Sequence, residues 1–183
     1  SPLRAAKRAG ARERIAHAHN TNQDKNWKYV WKRLSNRRIG AYATDFFACG
    51  EAAGAWMFPG KTVQVLRNAV RAADYVLQEK VRQQVRQEWG AENRLVLGHV
   101  GRFQPQKNHE FLIDIFAAVA ERIPDALLVL VGAGTGLEAI REKVRRLGLA
   151  GRVIFTGVRS DVNRLMQAMD VFVMPSLHEG LPV

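Results

Sequence analysis

Ala126–Gly132, ALLVLVG, decides the fold. Every residue before the glycine is apolar, so no polar face alternates with an apolar one, as expected of a strand buried on both sides. Upstream, Leu95–Gly101 (LVLGHVG) is a second run of this kind. Its polar turn Arg102–Asn108 leads into Leu112, Ile115, Phe116, Val119 and Ile123 at helical spacing, closed by Pro124. Downstream, Thr135 and Glu138 have the spacing of a capping box, ahead of a helix whose buried stripe reads Leu137, Ile140, Val144 and Leu147. Arg152–Gly157 (RVIFTG) reads as the next strand. Asp161 stands to cap a short helix carrying Leu165, Met166 and Met169, and Asp170–Ser176 (DVFVMPS) reads as a fourth strand. Apolar strands alternating with amphipathic helices imply a parallel sheet covered on both faces, a Rossmann-like α/β layer.

The N-terminal half repeats the theme less regularly. A helix-like LRAAKRAG precedes a strand at Arg14–Asn20 (RIAHAHN), and Trp27, Val30, Trp31 and Leu34 form the stripe of a basic helix. Asp45–Gly50 (DFFACG) reads as a strand leading into a helix through Trp56, and Thr62–Val70 as a further strand. Leu77, Val81, Val85 and Trp89 mark one face of a charged helix, with the domain break in 69–75. Both ends read as cut, so two α/β domains are expected, each incomplete.

Composition narrows the class. Across 183 residues, 47% are hydrophobic and 25% charged, which excludes a disordered or collagen-like chain. The single cysteine, Cys49, excludes an intrachain disulfide framework and reads as a packing residue among Phe46, Phe47 and Ala48. No run reaches the ~18 apolar residues of a membrane span, and a cytoplasmic location is expected. The net charge of +11 is lopsided: residues 1–94 hold 18 basic and 8 acidic side chains, and residues 95–183 hold 10 and 9. Such a field favours polyanions, be they nucleic acid, an anionic bilayer or a phosphorylated substrate, although a solvated arginine-rich surface accounts for it equally.

Four stretches stand at the C-terminal ends of the expected strands, where open parallel sheets bind ligands. Gly101-Arg102 with Lys107 offers close backbone approach and two cations suited to a diphosphate, or simply a solvated turn. Gly132-Ala133-Gly134 invites a dinucleotide reading, but Leu137 replaces the third glycine and Arg152 the ribose-binding acid, so NAD is disfavoured. Gly157-Val158-Arg159 offers backbone groups to a flat base, and Glu179-Gly180-Leu181 places a carboxylate beside the free N–H groups of a helix start. In the other half, His17 and His19 share a strand face, but two imidazoles without a third partner make a poor zinc cage, so no metal is expected.

These motifs in this order (RIAHAHNT, DFFACGEAAGAWMF, GHVGRFQPQKNHEFLIDIF, LVLVGAG, RVIFTG and DVNRLMQAMDVFVMPSLHEGLPV) resemble glycosyltransferase family 4, in its bacterial capsule and exopolysaccharide branch. The resemblance covers nearly the whole chain. It implies the GT-B fold, α/β with two Rossmann-like parallel-sheet domains: residues 1–70 would be the end of the acceptor domain and 71–183 the start of the donor domain. It further implies transfer of a sugar from a nucleotide donor, a UDP-sugar or GDP-sugar, to a saccharide or lipid-linked acceptor, with retention and with neither cofactor nor metal. By the same resemblance, Gly101, Arg102 and Lys107 would grip the diphosphate with Gly132 beside it. Val158 and Arg159 would hold the base; Glu179, Gly180 and Leu181 would meet the sugar; and His19, rather than His17, would contact the sugar from the acceptor side. The basic 1–38 stretch would rest on an anionic membrane, peripheral to the cytoplasm.

Two departures stand out. The second Glu of the family's E-x7-E pair would fall beyond Val183, and the usual Asn-Gly-Val-Asp reads Asn68-Ala69-Val70-Arg71. The segment alone is therefore read as an incomplete catalytic unit. The alternatives are a related sugar-nucleotide epimerase or glucan synthase, and a non-enzymatic polyanion-binding module in which Trp27, Tyr29 and Trp31 interleave with Lys28, Lys32 and Arg33.

Overall fold

A computed structural model describes residues 2–19, 39–177 and 179. The chain divides into two compact units, Ser1–Val70 with Glu179–Val183, and Arg71–His178.

In the second unit, helix α3 (Glu79–Glu88) precedes β4 (Val96–Val100), α4 (His109–Arg122), β5 (Leu127–Val131), α5 (Leu137–Arg146), β6 (Val153–Gly157), α6 (Val162–Met166) and β7 (Val171–Phe172). The strands lie in the order β6-β5-β4-β7, every pairing parallel. Strand β5 is buried at all positions because its side chains serve two cores. Leu128 and Leu130 face Leu112, Ile113, Phe116, Ile140 and Val144, while Leu127, Val129 and Val131 face Val85, Leu165 and Ala168. The absence of polar alternation in ALLVLVG has this cause, and helices on both faces follow from it.

In the first unit, α1 (Pro2–Arg8), β1 (Ile15–Ala18), β2 (Asp45–Ala48), α2 (Glu51–Met57) and β3 (Gln64–Val65) form a parallel sheet in the order β1-β2-β3. Its core joins Ala16, Ala18, Ala48, Cys49, Ala53 and Phe58. Cys49 is fully buried there. The expected basic helix around Trp27 and Trp31 lies outside the described residues.

Several sequence-based expectations change in detail. The strand expected over Thr62–Val70 shrinks to Gln64–Val65, and Leu66 is exposed. Asp170–Ser176 shrinks to Val171–Phe172, although Val173 N still donates to Gly98 O at 2.9 Å. Leu77 precedes α3 and is 64% exposed, and Leu147 is 43% exposed at the C-cap of α5, so neither extends its helical stripe. The capping box does not form. Gly136, which has no side chain to offer, takes the N-cap of α5, and its N–H donates to Phe103 O at 3.0 Å. Asp161 does occupy the N-cap of α6, but its carboxylate turns to Arg159 instead of the helix amides.

At the N-terminal edge of the second sheet, Asp170 organises an ionic knot. Its Oδ2 accepts from Val96 N at 2.8 Å and pairs with Arg86 Nη1 at 3.1 Å, and its Oδ1 pairs with Arg82. Arg86 is 7% exposed and also donates to Ala168 O at 2.9 Å. Burial pushes the Asp170 carboxyl up, but the Val96 N–H and the two guanidiniums outweigh it and hold the group below the usual carboxylate range. A carboxyl with a depressed folded pKa stabilises above its unfolded value and loses that contribution as pH falls through the folded value. Asp170→Asn is therefore expected to lower unfolding free energy by about 2 kcal/mol at pH 7, since a nearly buried Arg86 loses its counter-ion. In urea titrations this deficit shrinks as pH drops below about 4; an equal deficit at pH 7 and at low pH would refute the assignment.

Candidate functional site

The loops after β4, β5 and β6 are laced together at the carboxyl ends of their strands. Gly101 N donates to Val131 O at 2.9 Å, Gly132 N to Gly157 O at 2.8 Å, and Phe103 N to Ala133 O at 3.1 Å. The approach is so close that only glycine fits. Gly132 has φ +137°, and a Cβ there would meet Gly101 O at 2.1 Å; at Gly134 it would meet Phe103 O at 2.5 Å. Gly132 thus serves first to seat one loop on the other. Phe103 is buried as the plug of the turn, with Arg102 exposed on one side and a short 3₁₀ turn, Pro105–Lys107, on the other. Lys107 is half-buried, two residues before the start of α4. Gly101, Arg102, Lys107 and Gly132 therefore share one loop cluster.

Beneath this turn lies a pair of buried histidines that sequence reading missed. A Cβ on Gly101 would come within 2.8 Å of His99 Nε2 and 3.4 Å of Lys107 Cγ and Cδ, so the ring sits directly under the turn. His99 Nδ1 faces Val173 O at 2.8 Å, which requires the proton on Nδ1. His109 meets His99 edge-on at 4.8 Å and stacks on Phe103 at 4.1 Å. Burial, then His99 and Lys107, push the His109 pKa down to about 4, so at neutral pH the ring adds no charge beside Lys107. The only signal in the sequence was His inside an apolar strand and His at a helix start, neither of which specifies a partner.

Strand β6 reaches the same end through an irregularity: its register with β5 shifts at Val131, which pairs with Gly157. The shift turns Val158 outward to 80% exposure. Arg159 beside it forms a bidentate pair with Asp161, both contacts 2.8 Å, which raises the Arg159 pKa and draws that of Asp161 down to about 2. Asp161 is a residue that sequence reading assigned to a cap alone. A neighbouring Arg164–Glu88 pair continues the ionic chain to α3 and lowers the Glu88 pKa.

In the first unit, His17 and His19 are both exposed at the carboxyl end of β1, their rings 4.2 Å apart, and the Cys49 thiol reaches His19 O at 3.5 Å. Glu179 is half-buried. Gly180 and Leu181 lie outside the described residues. Among the described residues, no three His, Cys, Asp or Glu side chains are gathered as for a metal ion.

Parallel sheets with helices between their strands and glycine-tight loops at the carboxyl ends define a class, the Rossmann-like α/β proteins. Within that class, residues 94–183 match the family described as Glycosyl transferases group 1. The glycosyltransferase EpsF of Bacillus subtilis is 39% identical over 98% of this chain and 49% of its own length. A GDP-mannose-dependent α-(1-6)-phosphatidylinositol monomannoside mannosyltransferase of Mycolicibacterium smegmatis is 30% identical over 96% of this chain and 47% of its own. The chain thus spans about half the length of these relatives. Among solved structures, Anabaena HepE in complex with UDP and glucose superposes with a TM-score of 0.84 at 25% identity, covering 96% of this chain and 49% of HepE. The lipopolysaccharide glycosyltransferase WaaG, at 20% identity and a TM-score of 0.70, shares the fold over 97% of this chain and 57% of its own. The fold is α/β with parallel sheets, of the kind found in GT-B glycosyltransferases.

Proposed function

We propose that this chain forms part of a retaining glycosyltransferase that moves a sugar from a nucleotide donor to a lipid-linked saccharide in the synthesis of a cell-surface polysaccharide. Residues 71–183 form the start of the donor domain and residues 1–70 the end of the acceptor domain. The observation that carries this reading is the laced loop cluster that roots the exposed Arg102 and the half-buried Lys107, the latter two residues before α4. HepE, similar over nearly the whole chain, is a UDP complex, and EpsF belongs by name to glycosyltransferases.

The chemistry follows from charge. As the bond between the sugar C1 and the diphosphate oxygen breaks, negative charge grows on the departing diphosphate. In this reading the Arg102 guanidinium, the Lys107 ammonium and the N–H groups opening α4 gather where that charge appears, and they stabilise it without a divalent ion. The acceptor hydroxyl forms the new bond to C1 from the same face, and its proton passes to the leaving diphosphate. The neutral His109 beneath the turn leaves the cationic field to Arg102 and Lys107. Val158 and Arg159 border the base, the latter held rigid by Asp161. Glu179, with Gly180 and Leu181, binds sugar hydroxyls, and His19 is a further sugar-contacting residue.

No helix among the described residues is long and apolar enough to cross a membrane. Membrane contact, in this reading, is peripheral and at the cytoplasmic face. Helix α1 has no buried residue and ends in Lys7 and Arg8, and the first 38 residues carry 11 basic side chains against Glu13 and Asp24. Such a surface attracts an anionic leaflet at ~1 kcal/mol per cation.

Calorimetric titration with UDP and GDP in EDTA tests the donor site. One nucleotide is expected to bind without metal, and the Arg102→Ala, Lys107→Ala double variant to lose at least about a hundredfold in affinity, as two charge-assisted contacts imply. Equal binding by the double variant would refute the clamp. Replacing Lys25, Lys28, Lys32 and Arg33 with Gln is expected to weaken cosedimentation with phosphatidylserine vesicles. Unchanged vesicle binding would rule out docking through this stretch.

A further inference from the structure

Among the described residues, Asn108 is the one non-glycine position with positive φ, at 53°. It stands between Lys107 and α4, in the left-handed region where glycine is least strained and asparagine is tolerated. It occupies the N-cap of α4, yet its side chain makes no capping hydrogen bond. Its amide Nδ2 donates instead to Pro175 O at 3.2 Å, across 67 residues of sequence. Glycine would suit the turn better, and a capping side chain would suit the helix; neither local need explains an outward-reaching amide.

That bond has neighbours along a single seam. Leu177 N donates to Gln106 O at 2.9 Å, and His99 Nδ1 donates to Val173 O at 2.8 Å. The segment Val173–Leu177, which follows β7 and precedes Glu179 in the chain, is thereby fastened to the turn that carries Lys107. Of the two side chains in the seam, His99 is fully buried within the core, whereas Asn108 sits beside the site.

We infer that Asn108 is a positioning residue that couples the diphosphate-gripping turn to the segment leading into Glu179, so that the two ends of a nucleotide-sugar are held in register. This rests on the donor-site reading proposed above. The coupling acts on the sugar end of the ligand: a nucleoside diphosphate alone needs only the turn, whereas the nucleotide-sugar needs both the turn and the segment.

The test compares wild type with Asn108→Gly, which relieves φ but removes the amide, and Asn108→Asp, which tolerates the same φ but has no proton to donate to Pro175 O. Amide hydrogen exchange across residues 173–177 and affinities for UDP and UDP-glucose are measured for all three. Both variants are expected to exchange faster over 173–177 and to lose about fivefold in affinity for UDP-glucose beyond any loss for UDP, the loss of one uncharged hydrogen bond. A glycine variant that matches wild type in exchange and in both affinities would overturn the proposal, because it would show that Asn108 only turns the chain. If wild type binds neither ligand, the donor-site reading fails separately, and exchange decides the coupling. Faster exchange in both variants then supports it and unchanged exchange overturns it.

Discussion

The functional end of the second unit depends on backbone meeting backbone between Gly101 and Gly132. With no Cβ at residue 132, the loop after β5 presses against the carbonyl of Gly101, and the hydrogen bonds from Gly101 N, Gly132 N and Phe103 N close the seam between three strand ends. Arg102 and Lys107 are long, flexible side chains, and in the role proposed for them they need a rigid root. That root comes from the glycine contact below, Phe103 as a buried plug and the His99–His109 pair underneath.

The two ends of the same sheet solve opposite electrostatic problems. At the amino end, Asp170 gathers Arg82, Arg86 and Val96 N into a compensated knot that ties α3 to β4 and β7. At the carboxyl end, cations stand near a helix start, where a bound anion would compensate them. Burial keeps His109 neutral there, with a pKa near 4, so the field of the turn comes from side chains that reach solvent. The compensated knot thus sits at one edge, and the other is the edge where open α/β sheets generally bind ligands.

Strand identity and order of elements were legible from the sequence because burial on both faces leaves an unbroken apolar run, as in Leu127–Val131, with amphipathic helices between. The Arg102–Lys107 turn was legible for a related reason: its charge sits at a strand end, where the pattern breaks. What sequence reading missed turned on which partner a side chain or amide takes up in the fold. Asp161 looks like a cap until Arg159 competes for its carboxylate, and Thr135 looks like a cap although Gly136 takes that position. Asn108 looks like loop filler, since its partner Pro175 lies 67 residues away. Strand lengths at sheet edges were overestimated for β3 and β7, where apolar composition persists after pairing ends.

The most direct measurement is a crystal structure of the protein with UDP bound. The account predicts diphosphate oxygens within about 3 Å of the Arg102 guanidinium and the Lys107 ammonium, at the start of α4, with the base beside Val158. A well-ordered UDP whose diphosphate touches neither residue would contradict it.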